Sequence, residues 1–153
     1  MVLWRLSARQ HTDNFDGEYG LLFNGRWNTV GHAVTYCATS PSLCVLEKLV
    51  HVEDPALLPS LVMVTYNVPD TLGVERVELG GLPQEWRHQE AWTQTRGDGW
   101  FRARTAPLLE VPSVIVPLAD SPDKNVIINH SHPAAAEIRV RKREPFTFNQ
   151  RLL

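Results

Sequence analysis

Four side chains of this 153-residue chain have the types and settings from which a reaction could be built. Arg26 lies in NGRWN, a turn-flanked, aromatic-rich strand end. A guanidinium there can give two charge-assisted hydrogen bonds to one phosphate or carboxylate. Tyr36 lies on the following strand, and its ring can cover a flat ligand. Glu47 is a lone carboxylate beside the apolar stripe of a helix, able to stabilise positive charge that develops nearby. Ser113 opens the β-rich end of VPSVIVP and offers a hydroxyl. Each also fits a plain structural part. Arg26 would stack on Trp27 or pair with a surface carboxylate, and Tyr36 would be a core aromatic. Glu47 would pair with Lys48 or an arginine at the helix rim, and Ser113 would start a strand.

Other chemistries lack their parts. There is no GxGxxG, no GxxxxGK[ST], no HExxH and no GxSxG. His11, His32, His51, His88, His130 and His132 are scattered. His130 and His132 would share one face of an extended segment, but two ligands do not make a zinc site, so no metal is expected. Cys37 and Cys44 match neither a zinc ribbon nor a CxxC motif. They are expected to be small buried thiols in a reducing cytosol.

The elements that must position these residues can be read from patterning. Val2 to Leu6 reads as an opening strand, and residues 10–20 as a polar loop. A strand enters Arg26 and Trp27 and turns near Asn28 to Gly31. Ala33 to Ala38 is β-rich. The clearest helix starts at Ser40, a good N-cap, with Pro41 at its first position. Leu43, Leu46, Leu49 and Val50 recur at helical spacing along it, and Asp54–Pro55 ends the region. Leu61 to Val68 is a second strong strand. Residues 83–96 predict a helix, broken by Gly97–Asp98–Gly99 and followed by a short one over 100–106. Short apolar runs at 108–111, 113–117 and 126–129 predict strands, and 137–143 an exposed one. Strands and helices are interspersed without strict βαβ alternation. The expected fold is therefore α+β, with a twisted, mostly antiparallel or mixed sheet flanked by helices.

Length and composition fit one domain over residues 1–153 with a self-sufficient core. Net charge is −2 and the isoelectric point about 6.3, which argues against direct nucleic-acid binding. The basic run Arg139, Arg141, Lys142 and Arg143 reads as a solvated strand face. No segment resembles a signal peptide or a membrane span, so a cytoplasmic location is expected. Of the five tryptophans, Trp86, Trp92 and Trp100 fall in one stretch. They suit core packing or, in a non-catalytic protein, a binding interface.

Taken together, the residues carry a family resemblance. GRWNTVGHAVTYCATSPSLCVLEKLVH resembles the N-terminal signature of RES domains, named for Arg, Glu and Ser. The likeness continues through EVPSVIVP, NVIINHSHP and EPFTFNQRLL, and is weakest over residues 67–105. One departure is Asn129–His130, where the family often has Asn-Pro. No role is therefore carried over to Asn129, and none is assigned to His132.

The resemblance implies an ADP-ribosyltransferase-like fold and a toxin of a bacterial toxin–antitoxin pair. The partner would be an Xre-type antitoxin, and a toxin homodimer would fit within a larger complex. The implied reaction is cleavage of the nicotinamide–ribose bond of NAD, with NAD as substrate and no cofactor. Glu47 would face the ribose, Arg26 the pyrophosphate and Tyr36 the nicotinamide. Ser113 would hydrogen-bond the ribose or the nicotinamide amide. Trp27 and Asn28 are weaker binding candidates, expected to pack and to turn the chain. Transfer of ADP-ribose to a protein is the alternative within enzymes, and a non-catalytic interaction domain the alternative outside them.

Overall fold

The structure is a computed structural model that describes residues 1–153. Its strands fall mainly where Val, Ile, Thr and aromatic residues cluster. They are β1 (Val2–Ala8), β2 (Val34–Ala38), β3 (Leu61–Asn67), β4 (Val74–Arg76), β5 (Leu108–Pro112), β6 (Lys124–Asn129) and β7 (Arg139–Phe146). Together they make one seven-stranded sheet in the order β4-β5-β6-β2-β1-β3-β7. Only β4 and β5 run parallel. The helices are α1 (Glu18–Leu22), α2 (Pro41–Leu49) and α3 (Glu90–Ala103). This is the α+β architecture with a mixed sheet that the sequence predicts.

The sheet comes close to being two sheets. β1 pairs with β3 along its whole length, from Val2 with Asn67 to Ala8 with Leu61. It pairs with β2 through Trp4 and Ala38 alone. Continuing that antiparallel register would set Arg5 opposite Cys37 and Leu6 opposite Tyr36. Instead the two strands part, and a cleft opens between them.

Successive side chains of a strand face opposite sides, and the core divides accordingly. Leu108 and Ile128 join Leu3, Val64, Tyr66 and Val126 on one side. Their neighbours Leu109 and Ile127 join Trp27, Trp86, Trp100 and Val111 on the other. A smaller cluster of Ala38, Leu43, Cys44 and Met63 lies under α2. Helix α2 starts as expected, with Ser40 Oγ accepting the Leu43 N–H at 3.2 Å and Pro41 at the first position. Its apolar stripe is narrower than expected. Leu43 and Cys44 are buried, but Leu46 and Val50 are exposed.

Several local expectations fail for tertiary reasons. The polar loop gives way to α1 already at Glu18. The strand at Arg26 and Trp27 reduces to one bridge between Gly25 and Asn28. Residues 83–89 form turns, with Trp86–His88 as a 3-10 turn. Helix α3 runs through Gly97 and Gly99 without a break. Gly97 sits where a Cβ would collide with the Trp27 backbone, so its bare backbone permits close packing. Residues 113–117 form bends instead of a strand, because Ser113 Oγ accepts the N–H groups of Ile115 at 3.0 Å and Val116 at 3.1 Å. β7 carries Arg139, Arg141, Lys142 and Arg143 exposed at the sheet edge, as expected. No helix is long and apolar enough to cross a membrane.

Candidate active site

Where β1 and β2 part, the cleft has a volume of ≈ 660 Å³, within the range of about 300–1,000 Å³ usual for small-molecule and cofactor sites. Arg26, Tyr36 and Glu47 all line it. They arrive from a loop, a strand and a helix, so the fold and not local sequence brings them together.

The loop that carries Arg26 is gripped along its length by α3. Thr93 Oγ1 donates to Arg26 O at 2.6 Å, and Gln94 Nε2 donates to Gly25 O at 3.0 Å. One turn on, Gly97 abuts Trp27, and buried Asp98 accepts from Thr29 N at 3.0 Å and Thr29 Oγ1 at 2.7 Å. These pairs recur at the helical i, i+4 spacing, so one face of α3 holds the loop. The Arg26 guanidinium is half-buried and donates from one nitrogen to Arg87 O at 3.0 Å. Its remaining N–H groups are open to a ligand.

Tyr36 has its hydroxyl fully engaged. It accepts the Trp27 N–H at 2.9 Å and donates to Asn28 Oδ1 at 2.7 Å. Burial raises its ionisation well above the ordinary tyrosine range, so it stays a neutral phenol. Only its ring is free to meet a ligand. Asn28 is buried and donates to Phe23 O and Thr29 O, both at 3.1 Å. It fixes the loop and has no donor to spare, in keeping with a turn role. Trp27 is buried against Trp86, with ring centroids 6.4 Å apart.

Glu47 is half-buried, and burial raises its carboxyl above the usual glutamate range. A hydrogen bond from Asn125 Nδ2 to Glu47 Oε1 at 2.7 Å acts in the opposite sense. Cys44, Glu47, Lys48 and His51 all line the cleft, at the i, i+3, i+4, i+7 spacing of one helix face.

The structure does not bring Ser113 into the cleft. It is fully buried, and its oxygen is taken up by the turn described above. Val114 and Ile115, held by that turn, do line the cleft. Asn129 is also buried, bonded to Phe101 O, Ser131 N and Ser131 Oγ. His130 packs edge-on to Phe15 and bonds Thr35 Oγ1, while His132 Nδ1 accepts the Ala134 N–H. Cys37 and Cys44 are free and buried, and burial pushes the Cys37 thiol up to about 12.

Two cleft residues escaped the sequence reading. Arg5 projects from β1 at the point where the strands part. Its guanidinium contacts His11 O and Asn14 O and lies over the Tyr66 ring, while its buried Nε has no partner. Asn125 was visible within NVIINHSHP but carried no motif of its own. The spacing from Glu47 to His51 was the one sequence signal for a wider helical face.

The site thus places guanidinium groups, an aromatic face and a carboxylate around one cleft. The model of the family described as RES domain matches residues 2–149. This chain belongs to the RES domain family. The RES domain is 37% identical over 154 residues to a protein of Pseudomonas putida named Toxin Res, covering 99% of each chain. It is 33% identical over 157 residues to a Sphingobium protein named Prs ADP-ribosylating toxin, covering 98% of this chain and 95% of that one. Its fold is similar to that in the crystal structure of the M. tuberculosis MbcT-MbcA toxin-antitoxin complex. The TM-score is 0.76 at 18% identity, covering 95% of this chain and 84% of that one.

Proposed function

We propose that this RES domain is the toxin of a toxin–antitoxin pair and depletes NAD by hydrolysing its nicotinamide–ribose bond. The observation that carries the reading is the meeting of Arg26, Tyr36 and Glu47 in one cofactor-sized cleft. The names of the Pseudomonas putida and Sphingobium relatives support the toxin assignment.

The chemistry suits a single carboxylate. Nicotinamide leaves with the bonding electron pair as a neutral pyridine, so no acid need protonate it, unlike the two-carboxylate arrangement for O-glycosides. Positive charge grows on the ribose as the bond breaks, and ionised Glu47 stabilises it. Water then adds at the same carbon and releases a proton, leaving ADP-ribose. Arg26 binds the pyrophosphate through its free N–H groups. Binding at the phosphates, remote from the broken bond, holds the ribose against Glu47. The Tyr36 ring lies against the nicotinamide. Ser113 supports the cleft wall through Val114 and Ile115.

The partner is an antitoxin of Xre type. Tyr19, Leu22, Phe23 and Val50 are exposed apolar residues on the cleft lining, a setting that favours a covering protein. One observation favours a second acceptor: the Sphingobium relative is named as ADP-ribosylating. Expression in cells with and without the neighbouring antitoxin, followed by NAD measurement and mass spectrometry of the lysate, separates the readings. Free ADP-ribose and falling NAD fit hydrolysis. ADP-ribosylated protein with little free ADP-ribose fits transfer, and unchanged NAD without the antitoxin contradicts both.

A further inference from the structure

Glu47 sits on a helix rim, where a long side chain has several rotamers to choose from. What fixes it comes from another element. Asn125 lies on β6, in register with Ala38 of β2 on one side and Val111 of β5 on the other. Its backbone is therefore held by neighbours on both edges. Its Nδ2 donates to Glu47 Oε1 at 2.7 Å and lies 3.4 Å from Cys37 O. The shorter distance is that of a charge-assisted bond. Both acceptors demand a donor, so the amide can face them in one orientation only.

We propose that Asn125 is the positioning residue of the site: its amide pins Glu47 Oε1 and leaves Oε2 for the bound sugar. This rests on the reading that Glu47 faces the ribose of NAD. The donor is set before substrate arrives, so no reorganisation is needed as charge develops. Two influences on the Glu47 carboxyl oppose each other, burial raising it and the Asn125 amide lowering it. Deleting the amide leaves burial alone. The other charged or titratable groups lining the cleft are Cys44, Lys48 and His51 along α2 and beyond its end, Arg5 on β1, His11 after it, Glu18 and Tyr19 on α1, Tyr36 and Cys37 on β2, and Arg26 on its loop. Burial keeps Tyr36, Cys37 and Cys44 neutral.

The test follows nicotinamide release from NAD by wild type, Asn125→Ala and Asn125→Ser across the pH range in which each stays folded. The series is repeated in a His51→Gln background to remove that group's titration. The acidic limb of kcat reports the carboxylate in the bound state. Asn125→Ala is expected to lower kcat about ten-fold or more with little change in KM, since a hydrogen bond to a charged group is lost. Its acidic limb moves to higher pH. Asn125→Ser keeps a donor and falls between. An acidic limb that stays where wild type has it overturns the proposal, whatever the loss in rate. If wild type releases no nicotinamide, the functional reading fails separately. Carboxyl-carbon NMR titration of Glu47 then still decides, and equal titration in wild type and variant overturns Asn125's part. Should Asn125→Ala not fold, Asn125→Ser carries both measurements.

Discussion

The Tyr36 hydroxyl donates to Asn28 Oδ1 at 2.7 Å and accepts the Trp27 N–H at 2.9 Å. A strand at the cleft is thereby tied to the loop that carries Arg26. In Tyr36→Phe the ring stays and both bonds go, leaving a buried amide oxygen and a backbone N–H short of a partner. The expected loss is about 1–3 kcal/mol of stability. KM for NAD should rise as the Arg26 loop loosens. Denaturant melts and steady-state kinetics check this, and unchanged values for both would mean the tie is idle.

Gly97 brings α3 against the Trp27 backbone with no room for a Cβ. Gly97→Ala must push the helix off the loop. The expected cost is about 1–3 kcal/mol, typical of overpacking, and it outweighs the helix propensity gained from alanine. Thermal melting reads the loss directly.

Glu47 separates activity from stability. Its carboxyl is raised by burial in the folded state, so the fold favours the protonated form. The stability this contributes is fully present below the usual glutamate range and is lost as pH rises through the folded value. Glu47→Gln removes the buried charge and keeps an acceptor for Asn125. The variant is expected to melt higher than wild type at neutral pH, with the gap closing as pH falls below the glutamate range. Equal melting temperatures at neutral pH would contradict this.

His130 works in the opposite sense. Burial beside Phe15 lowers it to about 4, against about 6.5 when unfolded. The neutral ring bonded to Thr35 Oγ1 is the folded form. Asp16 and Arg5 also act on it, one raising and one lowering its value. Stability from this group is present above about pH 6.5 and lost as pH falls through about 4. His130→Asn should flatten that acid limb of the stability profile.

Much of the fold was legible because local signals and tertiary structure agree there. Ser40–Pro41 capped α2, and the β-rich runs at β2 and β3 had no rival reading. Helix α3 was misread at Gly97 because the glycine that weakens a helix locally is what lets it grip Trp27. The run at Ser113 was misread because two side-chain bonds bend a β-branched sequence. At the site, Arg26, Tyr36 and Glu47 came from spacing and family likeness. Arg5 and Asn125 did not, since an arginine in the opening strand and an asparagine at the start of β6 carry no local signature. Their importance comes from where β1 and β2 part.

The most direct measurement is nicotinamide released from NAD by the purified chain, freed of any partner, beside the Glu47→Gln variant. Wild type is expected to liberate nicotinamide and free ADP-ribose, and the variant to do so about 100-fold or more slowly, as for loss of one preorganised electrostatic group. A folded wild-type protein that leaves NAD intact, or a variant that consumes it at the wild-type rate, would contradict the account.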